Sequence, residues 1–274
     1  MKTVEILSIG DELLRGIVQE SNSYWLAQRI AARGAALRRV QVLPDEPPVV
    51  ADEIRAALSR RPTLLITHGG LGPTDDDRTR EAISLGTDRE IEPNEEAESI
   101  VRRRYRELAE TGAVTDSEMN EERLRMARLP RGSVALNNEV GGAPGLLLEI
   151  SETTLVALPG VPPELYWIWE NSLAAHLDRL LGPGGFFETT FRIHLRDESA
   201  IAGMLKESQS RHAGVYIKSR AHGFGEDDLL RITVHATGKS DEAARASADE
   251  AVRDLETGFS RRGIQIVEAP RASE

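Results

Sequence analysis

The chain has 274 residues, 40% hydrophobic and 29% charged, a length that suits one large globular domain followed by a small one. Its formal net charge of −11 argues against non-specific binding to nucleic acid or to an anionic membrane. Cysteine is absent, which excludes disulfides and thiol chemistry, and because no apolar run approaches membrane length and residues 1–6 already enter a strand, we expect a cytoplasmic protein without a signal peptide.

The first two-thirds of the chain alternate between strand and helix patterns. Apolar runs predict strands over 4–9, 37–43, 63–67, 134–136, 146–150 and 154–158. Helical spacing and capping residues predict helices over 23–33, 47–60, 78–85, 95–110, 119–129 and 162–181. This alternation indicates an α/β domain over residues 1–181, with a mostly parallel sheet in a three-layer arrangement.

The Gly- and Pro-rich stretch 182–187 is the predicted linker to a second domain. Beyond it the sequence predicts strands over 189–195, 214–218, 229–236 and 265–267, and helices over 198–211 and 240–259. We therefore predict a small α+β domain over 188–268 and a tail over 269–274. Residues 188–268 carry 12 Lys and Arg against 14 Asp and Glu, which is not the charge balance of an RNA-binding domain.

The most informative segment is the glycine-rich stretch 67–79, Thr-His-Gly-Gly-Leu-Gly-Pro-Thr-Asp-Asp-Asp-Arg-Thr, between the third strand and a helix. A glycine-rich turn in this position lets backbone N–H groups close on a phosphate, and the helix N-terminus adds favourable partial charge. Three carboxylates, Asp75, Asp76 and Asp77, follow directly. Carboxylates repel a phosphate unless a divalent cation lies between them. The pattern indicates a metal-assisted site for a nucleotide or a phosphorylated cofactor.

Two further polar clusters follow strands. Gly10-Asp11-Glu12 ends the first strand, and Pro44-Asp45 ends the second. Ligands of open α/β sheets bind at the carboxyl ends of the strands. We therefore expect these clusters to converge with the glycine-rich stretch on one edge of the sheet.

Several ordered motifs resemble known families. The opening of the chain (Ser8-Ile9-Gly10-Asp11-Glu12-Leu13, Gly16 and Ser21-Asn22) resembles that of molybdopterin-binding domains, and Pro44-Asp45 and the glycine-rich stretch fit the same superfamily. The amino-acid sequence of residues 69–79, together with Asn120, 141–145 and 158–165, resembles the CinA family of competence/damage-inducible proteins. The resemblance covers residues 3–181, and the second domain resembles the small KH-like domain that follows in that family.

The resemblance implies a nucleotide or molybdopterin site with a divalent cation (Mg²⁺, Mn²⁺ or Co²⁺), hydrolysis of ADP-ribose at its pyrophosphate, and a homodimer. It implies catalytic and metal-binding roles for Asp77 and Asp45, with Glu12, Asp11 and Asp76 as supporting carboxylates. The implied ligand-binding residues are Gly10, Asp11, Asn22, Gly69, Gly70, Leu71, Gly72, Pro73, Thr74, Gly145, Pro159 and Gly160. Longer members add a nicotinamide-nucleotide amidase domain, for which a chain that stops at Glu274 leaves no length, so deamidation is not expected.

Several residues have structural alternatives. Asp77 suits the N-cap of the following helix, Asp45 suits an ordinary turn after Pro44, and Asn22 is equally suited to capping a helix and to reaching a ligand. His68 stands where the family has a small or apolar residue, so it is either a structural residue or a departure that affects the site. Met119 and Met126 are most simply core residues.

Two other functions stay open. The site either holds molybdopterin or a nucleotide without turning it over, or takes part in molybdenum-cofactor assembly by adenylyl transfer. The turn His222-Gly223-Phe224-Gly225 is the part of a KH-like domain that would touch RNA, but Glu226, Asp227 and Asp228 beside it argue against that role.

Overall fold

The computed structural model describes residues 2–195, 197–221 and 229–272. The chain divides into two compact units, one of residues 1–27 and 35–181, the other of residues 28–34 and 182–274. None of the helices in the described ranges combines the length and hydropathy needed to span a bilayer.

The chain up to residue 181 contains eight strands and eight helices among its described residues. The strands are β1 (Thr3–Ile9), β2 (Ala36–Leu43), β3 (Leu64–His68), β4 (Ile91–Pro93), β5 (Arg128–Pro130), β6 (Val134–Leu136), β7 (Gly145–Ile150) and β8 (Thr153–Leu158). The helices are α1 (Asp11–Leu14), α2 (Asn22–Ala32), α3 (Pro47–Ser59), α4 (Thr79–Thr87), α5 (Glu95–Glu110), α6 (Glu121–Met126), α7 (Pro162–Glu170) and α8 (Ala174–Leu180).

Six strands form one sheet in the order β2-β1-β3-β8-β7-β6, and β4 pairs with β5 separately. Strand β1 is parallel to β2 and β3, and β3 is parallel to β8, whereas β7 is antiparallel to both of its neighbours. Strands β3 and β8 are buried at every residue, as expected for parallel strands covered on both faces. The predicted α/β fold with a mostly parallel sheet is confirmed.

Two predicted helices have different bounds. The helix predicted over 119–129 is confined to α6, because the chain pairs with β4 from Arg128 onward. The helix predicted over 162–181 is interrupted between α7 and α8, where the hydroxyl of Ser172 donates to the carbonyl of Asn137 at 2.7 Å. By contrast, α5 starts where expected, with the Asn94 side chain accepting from the N–H of Ala97.

The small unit contains strands β9 (Gly185–His194), β10 (Val215–Ala221), β11 (Leu229–Gly238) and β12 (Ile266–Ala272), and helices α9 (Ser199–Arg211) and α10 (Asp241–Ser260). Since β9 begins at Gly185, the predicted linker 182–187 is too long by three residues. The sheet is antiparallel in the order β10-β11-β9-β12. This β-α-β-β-α-β order is the split βαβ arrangement; it confirms an α+β unit and does not confirm a KH-like one.

The core of the small unit lies between one face of its sheet and the two helices. Phe191 of β9 and Phe259 of α10 are fully buried there and pack edge to face with ring centroids 6.2 Å apart. The turn 222–225, on which the RNA alternative depended, lies outside the described residues.

Candidate functional site

A cavity of about 590 Å³ lies at the carboxyl ends of β2, β3 and β8. Its walls come from the segments that follow these strands, from the first helix, and from two segments further along the chain. The lining residues are Glu12, Asp45, Gly69, Gly70, Leu71, Gly72, Pro73, Asp76, Asp77, Tyr105, Met126, Gly142, Ala143, Pro159, Gly160, Val161, Pro162 and Glu164. The polar clusters after three strands therefore converge as expected.

The loop from Gly69 to Gly72, here called the glycine loop, requires its glycines. Gly69 has φ +98° and Gly70 has φ +64°, in the left-handed region that glycine tolerates best. A Cβ at Gly69 would lie 2.1 Å from the carbonyl oxygen of Ile9, and one at Gly70 would lie 2.3 Å from Thr79 Oγ1. The loop is thus pressed against the end of β1 and the start of α4.

All four carbonyl groups of the glycine loop are held by the first two residues of α4. Thr79 donates from its hydroxyl to the Gly69 carbonyl at 2.8 Å and from its N–H to the Gly70 carbonyl at 3.1 Å. Arg80 donates from Nη1 to the Leu71 carbonyl at 2.6 Å and from Nη2 to the Gly72 carbonyl at 3.0 Å. The loop is therefore fixed from its carbonyl side.

The N–H groups of the glycine loop are disposed differently. Gly69 donates to the carbonyl of Leu158 at 3.0 Å, so its N–H is already paired within the fold. The N–H groups of Gly70, Leu71 and Gly72 have no hydrogen-bond partner among the residues that the structure describes. Successive backbone N–H groups without internal partners form an anion-binding concavity. Three donors of the loop are thus available to a ligand.

Arg80 is a part of the site that sequence analysis missed. Its side chain is 4% exposed, and burial lowers its pKa to about 10, while the charge of Asp77 acts in the opposite direction. It is therefore protonated at neutral pH and places a positive charge directly behind the loop. Its position offered a signal, because a cation in the first turn of a helix opposes the helix dipole and needs a specific partner.

Asp45 and Asp11 join the ends of β2 and β1. The N–H of Asp11 donates to Asp45 Oδ2 at 2.8 Å, and the N–H of Asp45 donates to Asp11 Oδ1 at 3.4 Å. Burial raises the pKa of Asp45, and the nearby charges of Glu12, Asp11 and Asp76 raise it further, although the hydrogen bond from Asp11 opposes them. A carboxyl group with a raised pKa therefore faces the cavity.

Asp77 does not cap α4, which begins two residues later. Its Oδ2 instead accepts from the N–H of Thr74 at 2.9 Å and lies against Gly72, where a Cβ would be 2.5 Å away. The carboxylate braces the turn from Gly72 to Asp77 because this hydrogen bond closes it. Asp75, by contrast, has a 98% exposed side chain that pairs with Arg125 at 3.0 Å.

The predicted metal set does not assemble into a ready site. Glu12, Asp45, Asp76 and Asp77 all line the cavity. Yet no group of three or more His, Asp or Glu side chains within the described ranges is arranged to hold a metal ion. The expectation of a resident divalent cation is therefore not supported.

The opposite wall of the cavity centres on Glu164. Asn138, fully buried, donates from Nδ2 to Glu164 Oε2 at 2.6 Å and accepts from the N–H groups of Val140 and Gly141 at 3.0 Å each. Burial raises the pKa of Glu164, whereas the hydrogen bond from Asn138 and the charge of Arg104 lower it. A polar group of fixed orientation thus faces the glycine loop.

Tyr105 supplies an aromatic surface to the same wall. Its ring packs against Gly142, where a Cβ would lie 2.9 Å from the ring, and the guanidinium of Arg123 stands 4.0 Å from the ring centroid. Seven lining residues were not among the predicted site residues: Tyr105, Met126, Gly142, Ala143, Val161, Pro162 and Glu164. Met126 was expected to be a core residue, and it is also fully buried.

Five predicted ligand-binding residues do not line the cavity: Gly10, Asp11, Asn22, Thr74 and Gly145. Asn22 supports the site from behind, since its Nδ2 donates to the carbonyl of Gly160 at 2.8 Å. Gly145 belongs to β7, where it pairs with Leu136. Asn120, one of the residues that carried the resemblance, caps α6 by accepting from the N–H of Arg123 at 3.0 Å.

His68 lies behind the glycine loop and does not line the cavity. Its ring is 2% exposed, with Nε2 3.2 Å from Ser23 Oγ and 3.5 Å from Glu20 Oε1. Burial lowers its pKa to about 4. The imidazole is therefore neutral at physiological pH and joins β3 to the start of α2.

Comparison with known proteins agrees with this arrangement. A protein of Pyrobaculum arsenaticum is 37% identical over 263 residues, 95% of this chain and 96% of that one, and a protein of Pyrococcus abyssi is 37% identical over 222 residues, 81% and 86% of the two chains. The crystal structure of a protein named CinA, of unknown function, from Thermoplasma acidophilum matches with a TM-score of 0.56 at 27% identity, covering 66% of this chain and 99% of that one. Residues 5–179 match the family described as "Probable molybdopterin binding domain". By its fold, its cavity and this match, the chain belongs to the molybdopterin-binding domain family.

Proposed function

We propose that the chain binds a small heteroaromatic ligand that carries phosphate, either a molybdopterin or a nucleotide, at the cavity of the large unit. The observation that carries this proposal is the glycine loop, whose four carbonyl groups are tied to α4 while the N–H groups of Gly70, Leu71 and Gly72 face no partner in the described structure. Such N–H groups next to a helix N-terminus bind phosphate.

The remaining walls suit the rest of such a ligand. The cavity volume of about 590 Å³ lies in the range of small-molecule sites. The carboxylate of Glu164 accepts hydrogen bonds, which suits the N–H groups on the edge of a pterin or a purine, and the ring of Tyr105 offers a stacking surface. Because the protein as a whole carries a net charge of −11, local backbone dipoles and Arg80 supply the attraction for the phosphate.

We further propose that the ligand is a nucleotide pyrophosphate such as ADP-ribose, which the site hydrolyses. Asp45 favours this reaction, because a carboxyl group with a raised pKa beside a phosphate site is suited to accept a proton from water. In this proposal Asp77 retains its brace of the loop and lies close to the phosphates.

A divalent cation would enter with the substrate. Mg²⁺ is commonly held by one or two carboxylates together with substrate phosphates, so the lack of a three-carboxylate group in the described residues is compatible with it. Asp77 would hold the ion together with Asp76 or Glu12, which also line the cavity, and Asp45 would stay free to accept the proton. The ion would supply neutralisation of the pyrophosphate charge.

Binding and turnover are tested separately. Calorimetry with ADP-ribose, AMP and a pterin phosphate measures affinity, and release of AMP from ADP-ribose with Mg²⁺, Mn²⁺ or Co²⁺ measures turnover. We expect D45N to reduce AMP release by about a hundredfold with affinity largely retained, and D52N, on the exposed surface of α3, to change neither. Tight binding without AMP release would leave a binding module, and adenylylation of molybdopterin from ATP would replace hydrolysis by adenylyl transfer.

We also propose that the chain forms a homodimer. Light scattering coupled to size-exclusion chromatography gives the mass in solution, for comparison with the 30.1 kDa of one chain. A mass of one chain at all concentrations would contradict it.

A further inference from the structure

The sheet of the small unit has one face that the unit's own helices do not cover, here called the open face. Residues alternate along its strands, so every second side chain of β9, β10 and β11 points away from α9 and α10. The buried set includes Phe191, Ile193, Ile217, Ile232 and Val234, which pack against the helices. The open-face set is Phe186, Glu188, Thr190, Arg192, His194, Tyr216, Lys218, Arg220, Leu229, Arg231, Thr233, His235 and Thr237.

The charges of the small unit are separated between its two sides. Among the described side chains of β9, β10 and β11, the open-face set contains Arg192, Lys218, Arg220 and Arg231 and one carboxylate, Glu188. On the other side of the sheet α10 has an acidic excess, with Asp241, Glu242, Asp249, Glu250, Asp254 and Glu256 against Arg245 and Arg253. Glu226, Asp227 and Asp228, which also count in the balance of residues 188–268, lie outside the described residues, and the described part of the open face carries a cationic excess.

Three of these cations form a row across the sheet. The pairing register places Arg220 opposite Arg231 and Arg231 opposite Arg192, with Glu268 of β12 opposite Arg192 at the end of the row. Like charges directly opposite one another on a sheet destabilise it. Arg220 and Arg231 are such a pair of like charges, directly opposite one another on β10 and β11.

The cations at the β10 side of the row have no partner in the described part of the chain. The side chains of Lys218, Arg220 and Arg231 form neither an ion pair nor a hydrogen bond there, and Arg231 Nε is shielded from water without an acceptor. A buried donor without an acceptor costs free energy. An anion bound across the row would reduce the repulsion and would supply the missing acceptor.

Aromatic rings continue the same face. His235 lies 6.0 Å from the ring centroid of Tyr216 and 5.9 Å from that of Phe186, and its Nδ1 is 2.9 Å from Glu188 Oε2. Tyr216 is 54% exposed. Tyr216 and Arg220 are four residues apart on one strand, roughly 13 Å. Cations and an accessible ring therefore occupy one continuous strip.

We infer that the open face binds single-stranded nucleic acid. Single strands are bound by cations that follow the phosphates together with aromatic rings on which unpaired bases stack, and a sheet face is one platform that combines them. An acidic polypeptide would use the cations but not the rings, and a duplex would not expose its bases to Tyr216. Binding at the open face does not depend on the ligand proposed for the large unit.

The test measures fluorescence anisotropy of labelled oligo(U) and oligo(dT) of about 12 nucleotides with the full chain. We expect binding that weakens between about 50 mM and about 200 mM NaCl, and the triple variant K218Q/R220Q/R231Q to bind at least about tenfold more weakly with a salt slope smaller by about 2. The two oligonucleotides distinguish RNA from DNA as the natural source, since only RNA offers a 2′-hydroxyl.

A matched variant, R55Q/R61Q/R78Q, removes the same charge from exposed positions of the large unit and is expected to bind as the wild type does. Y216A is expected to weaken binding of both oligonucleotides and Y216F to retain it. Thermal unfolding checks the fold, and relief of the arginine row predicts that the triple variant is no less stable than the wild type. Equal losses in the two triple variants, or equal affinity for polyglutamate and oligo(U), would overturn the inference.

Discussion

Arg80 connects two functions in one side chain. Its guanidinium fills a buried position at the start of α4 and at the same time holds the carbonyl groups of Leu71 and Gly72. Only a planar group with several fixed donors can satisfy two carbonyls in this way. The residue that supports the phosphate site is therefore also one that supports folding.

Replacing Arg80 by lysine keeps the positive charge but removes the planar guanidinium, so it tests whether the geometry of the hydrogen bonds matters. In R80K, a compact ammonium cannot reach both carbonyls, and we expect a loss of about 2–3 kcal/mol in the free energy of unfolding. Ligand affinity should fall by about tenfold because the loop loosens. Urea unfolding and calorimetry measure the two effects. R78K, two residues earlier in an exposed pair with Glu81, should change stability by less than about 0.5 kcal/mol. Similar effects of both variants would contradict this role.

His68 makes stability depend on pH. Burial lowers its pKa from 6.5 to about 4 in the folded protein, so below pH 6.5 the unfolded chain takes up a proton that the folded chain does not. The contribution to stability is complete above pH 6.5 and is lost as the pH falls towards 4. We expect H68Q to remove about 2 kcal/mol of the decrease in the free energy of unfolding between pH 7 and about pH 5.

The measurement is urea unfolding at both pH values. H194Q, which removes an exposed imidazole, should keep the wild-type pH dependence. If H68Q kept it too, His68 would have to be protonated in the folded state and paired with Glu20.

At the scale of elements, the connection from β3 to α4 sets the geometry of the site. Gly69 lies against the end of β1, and α4 holds the carbonyl groups that follow. The connection therefore has no freedom to adopt a second conformation without breaking contacts to two neighbouring elements.

Adding one methyl group at Gly69 tests whether the connection is constrained in this way. In G69A, the added Cβ would meet the carbonyl oxygen of Ile9 at 2.1 Å, and we expect a loss of more than about 3 kcal/mol in the free energy of unfolding. G112A offers a matched case, because Gly112 also has a positive φ, +75°, but no atom within 4 Å of the added Cβ. Only about 1 kcal/mol should be lost there. Thermal unfolding compares the two, and equal losses would show that φ alone decides.

The elements themselves could be predicted from the sequence because hydrophobic periodicity and capping are local. Asn94, for example, caps α5 as its sequence context indicates. The break between α7 and α8 could not be predicted, since apolar spacing continues across it and Ser172 bonds to Asn137, 35 residues away. The same limit applies to the cavity: the glycine loop carries a local signature, whereas Tyr105 and Glu164 reach the site only through the tertiary fold.

At the scale of the whole molecule, charge acts on ligands in two opposite ways. The net charge of −11 repels an anionic small molecule as it approaches, while the open face of the small unit attracts a polyanion locally. Net charge read from the sequence predicts the first effect. It could not predict the second, because the separation of charge between two sides of the small sheet depends on the strand register.

Salt should therefore change the two association reactions in opposite directions. Stopped-flow measurement with a nucleotide should show an association rate that rises severalfold between about 20 mM and about 300 mM NaCl, because screening reduces the long-range repulsion. The dissociation rate should change little, since the contacts in the cavity are short. A falling association rate would indicate that the nucleotide responds to local cations instead.

The glycine loop has a consequence for hydrogen exchange. Its carbonyl groups are anchored to α4, so its backbone is held still, yet the amide hydrogens of Gly70, Leu71 and Gly72 point at no acceptor in the described structure. Amide exchange normally reports mobility, because a hydrogen-bonded amide must open before it exchanges. Here the amides of Gly70 and Gly72, which are half-buried, would exchange with solvent quickly without any opening, although the turn is fixed. Ligand binding would then protect these amides from exchange without ordering the loop. The loss of conformational entropy in the loop has already occurred when the protein folds.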